Sequence, residues 1–338
     1  MVRAFVIPRI VSASQVVIDS PRKIFPGWNR CFGRRYWHCL YRDVAGRSAV
    51  SQGVAENLFE GKSSVRLSTA HSRELGEELR RVRHRAQMSA AFVSEALGWS
   101  LGKLSKLETG TRGTSTCEIG TLLGCCGADK ATRERIIAIA DEADTGSFLR
   151  LHDGSPDSLL ALSLHEQTAL TVAVYEPLTI PGLAQIEEYA RALDGDAAVV
   201  EARMARQEVL RRRGGPETAL YVHEAALRLV VGGREVMRDQ MLRLTLMCGW
   251  ERMSLRLVPF SAVADAALRE PGGLLTFPAP VRPVAYAETG AATVFHDDPQ
   301  AVAAYEAKMR WVGQLALSVE RSRAVFARWA DVYDRKAR

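Results

Sequence analysis

Lys103 and Lys106 lie three residues apart and flank Ser105 in the run Ser100-Leu101-Gly102-Lys103-Leu104-Ser105-Lys106-Leu107-Glu108. On a helix that spacing puts both ammonium groups on one face, where they can meet phosphate oxygens or the acceptor edge of guanine. Ser100, at the start of such a helix, offers a hydroxyl and the neighbouring backbone amides to phosphate. Ser89, Leu101 and Gly102 complete an outward set, and Arg112, just beyond the helix, is a further phosphate candidate. Taken alone, lysines on a short amphipathic helix serve equally well to solvate it.

Catalytic constellations are incomplete. His165-Glu166 and His223-Glu224 each begin a zinc-protease motif, but the position that needs the second His holds Ala169 or Leu227. No GxSxG on a strand-to-helix elbow, no P-loop and no strand-linked GxGxxG occurs; Gly98-Trp99-Ser100-Leu101-Gly102 has the spacing but joins two helices. His296-Asp297-Asp298, ahead of Pro299, reads as a turn and helix cap, and Cys31, His38 and Cys39 are too sparse for a zinc site. Cys125-Cys126 reads as helix core. The expectation is a non-enzyme with no cofactor and no metal. Arg203, Arg206 and Gln207 occupy neighbouring positions of one helix. With Glu224 they form either a buried polar cluster or, as the commoner outcome, a surface salt-bridge network. The Pro181-Gly182 turn before Leu183 either offers amides to an anion or is simply a turn.

The elements that hold the lysines follow from periodicity and caps. Leu75, Leu79 and Val82 recur at helical spacing from Arg73, with Glu74, Glu77, Glu78, Arg80 and Arg81 assigned to the outer face. Ser89 caps a second helix with Val93, Ala96 and Leu97 inward, and Gly98 ends it. Ser100 caps a third, Leu101 to Glu108, with Leu104 and Leu107 inward, and Thr109-Gly110 stops it. Ser115 opens a fourth with Ile119, Leu122 and Leu123 inside. Lys130 to Ala143 makes a fifth, with Ile136, Ile137, Ile139 and Ala140 as its core stripe. Two short helices joined by a Gly-containing turn, at Ser89 to Glu108, are what a helix-turn-helix requires. Asp144 to Pro156 reads as a loop. Beyond it, strands at 170–175, 219–223, 253–259, 274–277 and 284–287 alternate with helices at 183–193, 197–213, 234–250, 299–317 and 319–333, an α+β or α/β pattern.

The run from Leu104 through Ser105, Lys106, Leu107 and Glu108 to Gly110 resembles the Cro/repressor or Xre family in order. The resemblance implies an all-α, lambda-repressor-like helix-turn-helix domain that binds double-stranded DNA, with Glu108 structural. Two departures stand out. Ala90 occupies the position where that family often has a DNA-supporting Gln. Gly102 replaces a longer polar residue, at up to about 1 kcal/mol of helix propensity. Tyr175-Glu176-Pro177, Ile180-Pro181-Gly182-Leu183, Glu188-Tyr189-Ala190-Arg191, Arg203 to Leu210, His223 to Leu227, Val236 to Gln240 and Val258-Pro259-Phe260 look like the second domain of a regulator family abundant in actinobacteria. The resemblance covers about residues 70–332. It implies a domain without established activity, and in some members an antitoxin-like role beside a small partner protein encoded nearby.

The chain has 338 residues and a net charge of +6. The excess is early: residues 1–66 hold eleven Lys or Arg against Asp19, Asp43, Glu56 and Glu60. That segment has no sustained period and reads as a poorly ordered basic extension, with a translation start at Val54 or Val65 as the alternative. Six cysteines without framework spacing fit a reducing cytoplasm, and no apolar run reaches a membrane span of about 18 residues. The expected organisation is residues 1–66 as the extension, 67–145 as the DNA-binding domain and 156–335 as an α+β domain that senses a small-molecule effector or docks a partner protein. The whole is expected to be a homodimer.

Overall fold

The computed structural model describes residues 68–152, 159–262 and 268–335. The extension expected over residues 1–66, with Cys31, His38 and Cys39, lies outside them. Contacts gather Ser64–Arg338 into one compact unit made of a helical region and a sheet region.

Five helices open the described chain. Helix α1, Ala70–Arg85, starts ahead of the Arg73 expected from periodicity, because Thr69 and Ser72 cap it reciprocally: each side-chain oxygen accepts the other residue's amide. Helix α2 (Ala90–Ala96) is capped by Ser89, α3 (Leu101–Glu108) by Ser100, α4 (Thr116–Cys125) by Ser115 and α5 (Lys130–Asp141) by Asp129. Their core is Leu75, Leu79, Val82, Val93, Leu104, Leu107, Ile119, Leu122, Leu123, Ile136 and Ile139. Each such side chain contributes roughly 1.5–3 kcal/mol on burial. Cys126 is buried within this core, as expected, while Cys125 is partly buried and packs against it; Ala96 is exposed, and Leu97 and Ile137 are only partly buried.

Glycine sets the α1–α3 approach at two points. A Cβ on Gly76 would fall 2.5 Å from the Glu108 carbonyl oxygen, and one on Gly110 (φ +66) would fall 2.3 Å from that of Ser72.

The segment expected to be a loop at 144–156 instead contains strand β1, Ser147–Leu151, which pairs antiparallel with β7, Ala292–His296. Neither strand was expected, because each is short and takes its hydrogen bonds from a partner far along the chain. Between them run α6 (Leu160–Thr168), β2 (Thr171–Glu176), a 3₁₀ turn (Gly182–Ala184), α7 (Glu187–Asp194), α8 (Ala197–Arg206), α9 (Glu208–Arg211), β3 (Glu217–His223), α10 (Glu224–Arg228), α11 (Arg234–Met247), β4 (Met253–Val258), β5 (Gly272–Thr276) and β6 (Val284–Glu288). Helices α12 (Pro299–Leu315) and α13 (Val319–Arg335) follow β7. Asp298 caps α12, as read from the sequence.

The seven strands form one sheet in the order β1-β7-β6-β5-β2-β3-β4, parallel across β2, β3 and β4 and antiparallel elsewhere. Both faces are covered, which is why β2 reads as a continuous apolar run. Val172 and Val174 enter a core shared with α11 and α13, and Ala173 and Tyr175 face Val302, Met309 and Val312 of α12. The fold is thus an all-α helix-turn-helix region followed by an α+β region.

Glu74 and Glu78 were expected on the solvent face of α1 and are buried. Glu74 takes a bidentate bond from Arg150 of β1 (2.6 and 2.7 Å), and Glu78 takes one from Arg135 of α5 (2.6 and 2.9 Å). The helix has more than one buried face because α5 and the sheet region both pack on it, a fact of assembly that one helix's periodicity does not contain.

Candidate nucleic-acid interface

Helix α3 is held from behind and open in front. Leu104 and Leu107 enter the helical core, and Glu108 receives Arg83 Nε and Nη2 at 2.6 and 2.8 Å in a pair less than a tenth exposed on either side. Glu108 is therefore a strut between α1 and α3, the structural role the resemblance implied. Arg83 also donates to the Met88 carbonyl, which fixes the turn into α2. Gly98 takes φ +63 in the α2–α3 turn, a left-handed conformation that an L side chain resists.

On the open side, Ser100, Leu101, Gly102, Ser105 and Lys106 are all exposed, as are Ser89 at the α2 cap and Arg112 beyond α3. Ser100 and Ser89 spend their hydroxyl acceptors on the amides of Lys103 and Phe92. A Cβ at Gly102 would meet nothing within 4 Å, so the fold itself does not require glycine there. Ala90 is partly buried against the helical core.

Lys103 departs from expectation. Its Nζ lies 2.7 Å from Glu118 Oε1 and 4.1 Å from the centroid of the Trp99 ring, folded back along the protein instead of forward. Arg112 donates to the same carboxylate at 3.3 Å. The Lys103 hydrogen bond, aided by Arg112, holds the Glu118 carboxyl below its usual range. The sequence reading missed Glu118 because its partners come from α3 and the following loop. It also missed Phe92, which stands 56% exposed; Leu101 is 57% exposed.

The polar residues singled out in the second region form the buried cluster, not the surface network. Arg203, Arg206 and Gln207 are each about 5% exposed. Arg206 makes a bidentate pair with Glu166 of α6 (2.8 and 3.0 Å) and reaches Glu288 at 3.2 Å. Arg203 binds Asp194 and Glu288. Burial opposes the Arg206 charge, and Glu166 and Glu288 more than restore it. Gln207 donates to the carbonyls of Gly182 and Gln185, so the Pro181-Gly182 turn is braced from within. Glu224 is elsewhere, bonded to Arg228 and the Phe260 amide, which corrects its inclusion in the cluster.

The two His-Glu pairs are structural. Glu166 is occupied by Arg206, and the buried His165 ring packs on Phe277 and Phe295 with its pKa lowered to about 3 by burial and by Arg73 and Arg150. His223 caps α10 through Nδ1. Among the described residues no group of three His, Cys, Asp or Glu is arranged to hold a metal ion, and no helix is long and apolar enough to cross a membrane.

A braced helix whose polar and small residues face outward, behind a glycine turn, defines a helix-turn-helix protein, and a helix-turn-helix domain family matches residues 74–136. Residues 159–328 match a domain of unknown function (DUF5753), and on that span the chain belongs to this family. No curated protein matches the chain.

Proposed function

We propose that the protein is a sequence-specific transcription regulator of the Xre, Cro/repressor type. It reads double-stranded DNA as a homodimer through Ser89, Ser100, Leu101, Gly102, Ser105, Lys106 and Arg112, with Lys103 recruited when a phosphate competes for it. Residues 67–145 carry the contact and residues 156–335 serve as its effector domain.

The observation that supports this reading most is the exposure of Ser100, Leu101, Gly102, Ser105 and Lys106 on the front of α3, while its back is locked by the Arg83–Glu108 pair. A surface kept small and polar at that place suits close approach to a groove. Selection of duplexes from a random library by the full chain tests it. One recurring motif is expected, and Lys106→Glu is expected to weaken binding to that motif at least tenfold and to flatten its salt dependence by about one ion. Unchanged affinity and slope in the Lys106→Glu protein would remove α3 as the reading element.

A further inference from the structure

Within the sheet region lies a cavity of about 420 Å³, inside the size range that encloses a small ligand. Its apolar wall is Leu178, Ile180, Pro181, Leu183, Leu193 and Pro271. Its polar wall is Glu176 at the end of β2, Glu288 at the end of β6, Asp194, and Arg203 and Arg206 of α8.

The wall is preformed. Gln185 donates to the Ile180 carbonyl, Gln240 bonds both the Ile186 amide and the Ala184 carbonyl, and Gln207 holds the turn between them. At the floor Tyr286 lies across Gly273, where a Cβ would fall 2.1 Å from its ring, so only glycine admits the ring there.

The charges do not balance. Behind and along the polar wall, Glu166, Asp194 and Glu288 are matched to only Arg203 and Arg206. Glu176 adds another carboxyl with no guanidinium of its own, and the Thr179 hydroxyl donates to it at 3.3 Å. Arg203 Nε is buried without a hydrogen-bond partner.

We propose that this cavity binds a small molecule with an ammonium group, held between Glu176 and Glu288, and an apolar body against Leu178, Ile180 and Leu193. An anionic ligand fits worse, because both guanidiniums are already neutralised and a further negative charge would face Glu288 and Asp194. Burial, then the Glu288 charge, pushes the Glu176 carboxyl up to about 8. Near neutral pH it is a neutral acid that loses its proton when a cation arrives. The other charged groups acting on it are Lys308 of α12 and Arg203, with Asp194 and the exposed Arg269 on the cavity wall.

The proposal deepens the reading of this region as an effector domain, and its test needs no DNA, so amine binding and DNA binding fail independently. Calorimetric titration of the full chain uses 2-phenylethylamine and tryptamine against 2-phenylethanol and phenylacetate. One amine per chain is expected, at least tenfold tighter than the alcohol and a hundredfold tighter than the carboxylate. The amine affinity should rise several-fold to tenfold per pH unit between pH 6 and 8, with proton release seen as a buffer-dependent heat. Glu176→Gln should weaken the amine at least tenfold and abolish the proton release. Leu178→Trp, at an exposed rim position, should block binding with the melting temperature unchanged. Equal or tighter binding of phenylacetate, amine binding unaltered in both variants, or no amine binding at millimolar concentration would each overturn the proposal.

Discussion

The helical region and the sheet region both bury arginine–carboxylate pairs, yet they use them differently. In the helical region each of three buried carboxylates meets one guanidinium in bidentate geometry: Glu108 with Arg83, Glu78 with Arg135, Glu74 with Arg150. None of the three carboxylates lacks a cation, and each pair ties α1 to another element. In the sheet region Glu288 is shared between Arg203 and Arg206, Glu176 has no direct ion pair among the described residues, and Arg203 Nε lacks an acceptor. A closed pair acts as a strut because breaking it strands a charge. An open cluster keeps unspent bonding capacity, which is what a binding site needs.

Removing one member of a closed pair gives the largest expected effect. Glu108→Gln should cost about 3 kcal/mol or more, read as a lower urea midpoint at unchanged slope, because Arg83 stays buried without its counter-charge. A cost near zero would show that α3 is not braced this way and would erase the contrast.

His165, buried between the two regions' charges, comes next. Its folded pKa of about 3 lies below the ordinary value of 6.5, so between those pH values the unfolded chain binds a proton that the folded chain refuses. Stability should therefore fall as the pH drops below 6.5, by about 2 kcal/mol from this residue between pH 7 and pH 5. In His165→Phe that part of the slope should vanish, measured as the difference between the two pH profiles.

Glu118 tests the surface version of the same logic. Glu118→Gln frees Lys103 and Arg112 and should change stability by less than about 1 kcal/mol. On the selected DNA motif it should tighten binding a few-fold and steepen the salt slope by up to about one ion. The smallest effect is expected at Glu176. Because its carboxyl is already neutral at pH 7, Glu176→Gln should move the urea midpoint by less than about 0.5 kcal/mol, the order of an ordinary surface change. A loss as large as that of Glu108→Gln would mean that the cluster is structural.

Much of the helical region was legible because its signals are local. Ser89, Ser100 and Ser115 cap the helices that follow them, Gly98 and Gly110 end two of them, and Leu104 and Leu107 face inward as their spacing demands. The same local logic found the parallel strands and the long helices α11, α12 and α13. The candidate site was legible only as a set of residue types. That Lys103 folds back onto Trp99 and Glu118 depends on a helix that follows α3, which no pattern within α3 encodes.

The sequence by itself determined the helix-turn-helix, since caps, turns and a 3.6-residue apolar stripe act over a few positions. Tertiary structure alone decided that Ser147–Leu151 is a strand, because its partner is Ala292–His296, and that Glu74 is a buried strut, because Arg150 arrives from that strand. It also decided that Glu176, Arg203 and Glu288 share one cavity. Charges meet across distances in space, and where a carboxylate's partner lies far along the chain, its role is written only in the packing.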